Sequence, residues 1–270
     1  MNSPITEHIL ERQGAPLHYW IEGPEDCPLV ICTHGATLDH RMFAAQLPAL
    51  TPKYRVLTWD VRGHGLSRPL GTKFSFDDCI DDLLAIMDGI NTHQATFIGH
   101  SMGGNISQEI AFRYPQRVTS LIIIDSTCNT GRLTRNEQWQ VRLTPLILAL
   151  YPYRLLLRQA AHSSSLNPDI QEYIYSTSSL LTKKEYGQIL TETTLCLHEE
   201  PQYQVAAPLL LLLGDHDTLG NIKSAMPAWA KHDPKSHFAV VPQAGHCSLQ
   251  DNPEFVNQQI LQFLEEFVYV

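Results

Sequence analysis

The chain has 270 residues, 43% of them apolar and 17% charged, an ordinary globular balance that excludes a disordered chain. A net charge of −9, from 19 Lys+Arg against 28 Asp+Glu, repels phosphate backbones, so no nucleic-acid partner is expected. Apolar runs such as Leu209–Leu213 are too short to span a bilayer, and the start, Met1 to Glu7, lacks the basic head and apolar core of a signal peptide. These features predict a cytoplasmic, enzyme-sized protein with no membrane attachment. The six cysteines (27, 32, 79, 128, 196 and 247) are irregularly spaced with no Cys-x-x-Cys pair, so they are expected to be reduced and structural, with no metal site.

In chain order, Ile5–Leu10 and Leu17–Ile21 read as an antiparallel hairpin around Gln13-Gly14-Ala15-Pro16. Short apolar runs follow at Leu29–Thr33, Tyr54–Trp59, Ala95–Ile98, Leu121–Ile124, Leu209–Leu213 and His237–Val241. Their lack of polar alternation predicts strands covered on both faces. Helical patterns separate them at Arg41–Leu50, Phe76–Ile90, Met102–Tyr114 and Asn221–Lys231, and Pro253–Phe267 closes the chain. The predicted fold class is therefore α/β, a mostly parallel eight-stranded sheet with helices on both faces. The long interval before Leu209 holds helix-compatible blocks broken by Pro145, Pro152, Pro168 and Pro201, which predicts a helical insertion. Residues 127–204 form that insertion, and 1–126 with 205–270 form the core. Arg132, Arg135, Arg142, Arg154 and Arg158 make its first half basic, yet its seven basic and seven acidic residues balance.

Gly99-His100-Ser101-Met102-Gly103 lies between a buried strand and a helix. A serine there sits on a sharp strand-to-helix turn, and glycine two positions either side removes the Cβ atoms that would crowd it. The helix start favours negative charge formed beside Ser101. A hydroxyl needs a base to become a nucleophile. Among 13 histidines, position selects His246, in the loop after the last strand and on the same strand-end side as Ser101. The acid that orients the base is expected at Asp217, after Leu209–Leu213, with Asp125 at the end of Leu121–Ile124 as the rival. Asp215 is expected to shape the turn. Oxyanion donors are expected from the backbone N–H groups of Met102 and Ala36.

With these motifs in order, the chain resembles the α/β-hydrolases of the capped, single-domain type over nearly its whole length. The likeness rests on His34-Gly35, Asp60-Val61-Arg62-Gly63-His64-Gly65-Leu66-Ser67, Gly99-His100-Ser101-Met102-Gly103-Gly104, Gly214-Asp215-His216-Asp217 and Ala244-Gly245-His246. It implies that residues 127–204 roof the substrate pocket, and that the Asp60–Ser67 stretch is structural, with Asp60 and Arg62 as mutual partners. The serine argues against the aspartate-nucleophile dehalogenases and epoxide hydrolases of the fold. His100 and Cys247 stand where the carbon–carbon bond hydrolases carry Asn and Trp. The expected activity is hydrolysis of a small or medium carboxylic ester or lactone, without cofactor, through an acyl-enzyme on Ser101. The alternatives are a slowly turning ligand receptor, an enol-lactonase of aromatic catabolism, a cofactor-free perhydrolase and a carbon–carbon bond hydrolase. Trp139, His34 and Tyr151 are the expected substrate contacts, with Leu143, Leu146 and Tyr153 as further pocket or core candidates.

Overall fold

The computed structural model describes residues 6–71 and 73–268, with backbone alone at 140, 141 and 144–149. The predicted hairpin residue Ile5 and those before it lie outside the described residues. Eight strands form one sheet: β1 (Thr6–Arg12), β2 (Ala15–Glu22), β3 (Leu29–Thr33), β4 (Arg55–Trp59), β5 (Ala95–His100), β6 (Val118–Ile124), β7 (Leu209–Gly214) and β8 (His237–Val241). Their order is β1-β2-β4-β3-β5-β6-β7-β8. Only the β1/β2 and β2/β4 pairings are antiparallel. The remaining pairings are parallel, so the strands from β3 to β8 end on the same edge.

The central strands are buried on both faces, as their unbroken apolar runs require. On β7, Leu209, Leu211 and Leu213 join one apolar layer and Leu210 and Leu212 the other. The predicted helix over Arg41–Leu50 is instead a 3-10 turn at His40–Phe43, capped by Asp39, and a four-residue α1 (Leu47–Leu50). Pro48 explains the break, since it supplies no N–H and restricts the residue before it. The first layer is covered by α2 (Phe76–Gly89) and α3 (Met102–Arg113), through residues such as Leu83 and Ile106. Between β6 and β7 come α4 (Arg135–Leu150), α5 (Tyr153–Ser164), α6 (Pro168–Ser178) and α7 (Lys183–Leu195). After β7, α8 (Ile222–His232) packs Met226 and Trp229 on the first layer. Near the C-terminus, α9 (Ser248–Asp251) is followed by α10 (Pro253–Phe267), which covers the second layer with Ile260 and Phe263.

Strand β8 departs from the expectation of burial on both faces: Phe238 and Val240 are exposed because β8 is the sheet's edge. The expected Asp60–Arg62 pair is also absent. Arg62 binds Asp82 of α2 through Nε and Nη2, both at 2.6 Å, and both side chains are fully buried. Asp60 instead accepts from the His40 amide and ring and from the Leu66 amide, all within 2.8 Å. The two residues serve different neighbours because Asp60 still faces the turn beside β4 while Arg62 reaches across to α2.

Candidate active site

The strand ends converge because β3, β5, β6, β7 and β8 run parallel and in register. Ile124 pairs with His100 on one side and Leu212 on the other, and Gly214 pairs with Val241. The loops that follow these positions carry Ser101, Asp125, Asp217 and His246. Ser101 sits between β5 and α3 at φ +50° and ψ −116°, a conformation that L-residues adopt only when their surroundings enforce it. Its N–H donates to Ile124 O at 3.0 Å, and its carbonyl accepts from Ser126 Oγ at 2.8 Å and from the Asn105 amide at 3.0 Å. A Cβ on Gly99 would collide with the Gly103 carbonyl, and one on Gly103 with the Thr33 carbonyl, so both flanking glycines are sterically required.

His246 is 6% exposed, and its Nδ1 lies 2.9 Å from Asp217 Oδ2. A carboxylate accepts, so Nδ1 carries the proton and Nε2 is left as the proton acceptor of the neutral ring. Burial opposes the charged imidazolium, but the Asp217 charge and hydrogen bond, aided by Asp125, outweigh it and raise the His246 pKa. Asp217 is fully buried, and its other oxygen accepts from the Leu219 amide at 2.8 Å. The rival, Asp125, has its two oxygens occupied by the amides of Gly214 at 2.7 Å and Ser248 at 3.1 Å. Burial, reinforced by the neighbouring Asp217, pushes its carboxyl up to about 7. Asp215 braces the loop before the histidine by accepting from the Gln243 and Ala244 amides, each at 3.0 Å.

Ser101 and His246 line one cleft of about 300 Å³, together with Gly35, Ala36, Thr37, Leu38, His100, Leu219 and Cys247. The insertion closes it with Leu156, Ala160 and Ser164 of α5, Ile174 and Ser178 of α6, and Tyr186 and Leu190 of α7. Among the described residues, the N–H groups of Ala36 and Met102 donate to no backbone carbonyl, which leaves both free for a developing anion.

The structure brings none of His34, Trp139 and Tyr151 to this cleft. His34 is fully buried, and its ring joins two main-chain groups: Nε2 accepts from the Val61 amide at 3.0 Å and Nδ1 donates to Gly35 O at 2.8 Å. Holding the Gly35 carbonyl turns the opposite side of that peptide, the Ala36 N–H, the other way. His34 therefore shapes the Gly35–Ala36 turn beside the cleft. Trp139 is 61% exposed under the Arg142 guanidinium, and Tyr151 donates its hydroxyl to Gln159 on the exposed side of α5. Tyr153 backs the cleft by packing edge-on against Tyr186. Leu143 is also exposed, and the Leu146 side chain lies outside the described residues. The cleft residues that sequence reasoning missed recur at i, i+4 on α5, α6 and α7, the one signal that could have found them.

The family model for the alpha/beta hydrolase fold matches residues 28–146, which contain Ala36 and the turn at Ser101. The chain has the α/β-hydrolase fold. Over 94% of its length it is 29% identical to the dihydrolipoyllysine-residue acetyltransferase component of an acetoin cleaving system from Pseudomonas putida, covering 68% of that protein. It is 26% identical to 3-oxoadipate enol-lactonase 2 of Acinetobacter baylyi, covering 96% of each chain. Among solved structures, a thermophilic esterase from Thermogutta terrifontis superposes with TM-score 0.80 at 22% identity, covering 98% of this chain and 99% of that one. These names span several reactions, so proteins of this fold must be told apart by their clefts. Among the described residues, no three His, Cys, Asp or Glu side chains gather as metal ligands would, and no helix is long and apolar enough to cross a membrane.

Proposed function

We propose that this protein is a serine hydrolase of small, uncharged carboxylic esters or lactones, with residues 127–204 as the cap over its substrate. The carrying observation is a cleft shared by Ser101 and the Asp217-bound His246, with no arginine or lysine among the described residues of its lining. His246 Nε2 takes the Ser101 proton as Oγ attacks the acyl carbon, and Asp217 stabilises the imidazolium. The oxyanion gathers on the Ala36 and Met102 N–H groups at the start of α3. The imidazolium returns its proton to the leaving oxygen, and a water activated by the same base then frees the acyl group.

The lining selects the substrate class. A buried carboxylate needs a cation or several donors, and Arg132, Arg135, Arg142, Arg154 and Arg158 are all absent from the cleft. The dicarboxylate enol-lactone reading finds no cationic partner for its acid group among the described residues of the lining. A volume of about 300 Å³ is at the lower end of ligand pockets, which favours short acyl chains.

A p-nitrophenyl ester series from acetate to octanoate, run beside neutral and carboxylated lactones, tests the reading. Repeated turnover of short neutral substrates that vanishes in Ser101→Ala supports it. A folded wild type inert toward all neutral substrates, or one preferring the carboxylated lactone, refutes it.

A further inference from the structure

His100 precedes Ser101 at the end of β5 and has no part in the mechanism above. Its ring is buried, and Nε2 lies 2.8 Å from the main-chain oxygen of His246. A carbonyl only accepts, so Nε2 carries the proton and Nδ1 does not. The two imidazoles stand 4.9 Å apart between centroids, inclined at 58°. The far edge of the His100 ring faces the oxyanion loop, where a Cβ on Gly35 would lie 2.5 Å from Nδ1. One side chain therefore touches the oxyanion loop and the backbone of the base while sitting next to the nucleophile in the chain. Burial, and then the neighbouring His246, hold the His100 pKa well below the ordinary imidazole value. The ring stays neutral and keeps its single donor on the His246 carbonyl.

We propose that His100 is a positioning residue for the reaction: its Nε2–H anchors the main chain of His246 while its ring seats the Gly35 loop, fixing base and oxyanion donors relative to Ser101. The hydrogen bond carries the argument. If His100 only filled volume, an apolar side chain of similar size would serve equally well. As an anchor it needs a donor at the position of Nε2. Glutamine can place an amide N–H there, whereas leucine offers no donor and asparagine is too short. The proposal rests on Ser101 and His246 being nucleophile and base, so the test needs a readout of serine reactivity that does not depend on the substrate.

A fluorophosphonate probe provides it. The rate of Ser101 phosphonylation, kcat and KM on a short p-nitrophenyl ester, and the urea midpoint are measured for the wild type, Ser101→Ala, His100→Leu, His100→Asn and His100→Gln. Misplacing reacting groups by about an ångström costs on the order of a hundredfold. His100→Leu and His100→Asn are therefore expected to label and turn over about tenfold to a hundredfold more slowly, with KM nearly unchanged. His100→Gln is expected to recover most of the loss. If the leucine variant fails to fold, the asparagine variant stands in for it. A donorless variant that labels as fast as the wild type overturns the proposal, as does a folded glutamine variant as slow as leucine. A wild type that resists the probe overturns the nucleophile reading itself, and this proposal with it.

Discussion

Asp217→Asn separates the role of the acid from simple packing. The carboxylate lies between two donors, His246 Nδ1–H at 2.9 Å and the Leu219 amide at 2.8 Å, with the side chain fully buried. An asparagine has one oxygen for these two donors. If the oxygen stays on Leu219, the NH2 group faces Nδ1, which must then accept, and the ring proton moves to Nε2. In that tautomer His246 cannot receive the Ser101 proton. The opposite flip keeps the productive tautomer but sets NH2 against the Leu219 N–H, leaving a buried donor unsatisfied at about 1–3 kcal/mol. The productive flip is then populated at roughly a few per cent, a ten- to hundredfold loss at 1.4 kcal/mol per decade. The imidazolium also loses the charge that stabilised it. Together these effects predict a fall in kcat of about 10³–10⁴, the order seen when a triad aspartate becomes an amide. The assay is pre-steady-state acylation by a p-nitrophenyl ester, with the urea midpoint as the control for folding. A folded Asp217→Asn variant within about tenfold of the wild type would refute the assignment.

The companion change Asp125→Asn is expected to act mainly on stability. It sets an NH2 against the Gly214 or Ser248 amide, lowering unfolding free energy by about 1–3 kcal/mol while kcat stays within about tenfold. Reversed kinetic effects of the two variants would exchange the roles of Asp217 and Asp125. Because the Asp217 carboxylate raises the His246 pKa and only the neutral ring accepts a proton, the acid limb of kcat/KM should lie above the ordinary imidazole value of about 6.5. A pH–rate profile whose acid limb falls below that value would contradict the buried pair. Asp82→Asn leaves the buried Arg62 guanidinium without its bidentate partner and should cost about 3–5 kcal/mol, read from the urea midpoint. A loss under about 1 kcal/mol would show that Asp78, whose Oδ2 lies 3.6 Å from Arg62 Nη1, takes over.

The features legible in the sequence share one property: local pattern determines them. An unbroken run such as Leu209–Leu213 has no polar face to present to water, so it must lie inside a sheet covered on both sides. Gly99 and Gly103 flank Ser101 because the turn tolerates no Cβ at either place, and that requirement is visible at two-residue range. What the sequence hid depends on distant partners. Nothing near Arg62 indicates that its partner is Asp82 of α2. Trp139 has the chemistry of a pocket residue, yet it is exposed, and no described residue of α4 lines the cleft. Which stripe of α5, α6 and α7 faces inward is set by how the insertion sits on the sheet, and periodicity defines a stripe without giving its direction. The broken helix after Asp39 is a different case, since Pro48 is visible in the sequence and the apolar spacing of Arg41–Leu50 runs straight through it.

The seam between α5 and α6 is joined to the loop that carries His246. Ser164 O accepts the Cys247 amide at 2.7 Å, and the Asp251 carboxylate receives Ser165 Oγ, the Leu166 amide at 3.2 Å and the Gly245 amide at 2.8 Å. The same half of the insertion reaches the oxyanion loop through Thr37 and Ser178, at 2.8 Å between hydroxyls. Any engineer who transplants helices between relatives to alter substrate preference therefore inherits a constraint. A graft spanning this seam must bring an acceptor for the Cys247 amide and donors for Asp251, or the recipient's histidine loop keeps only its core-side braces from Asp215, Asp125 and His100. Exchanges confined to the described side chains of α4 touch neither joint.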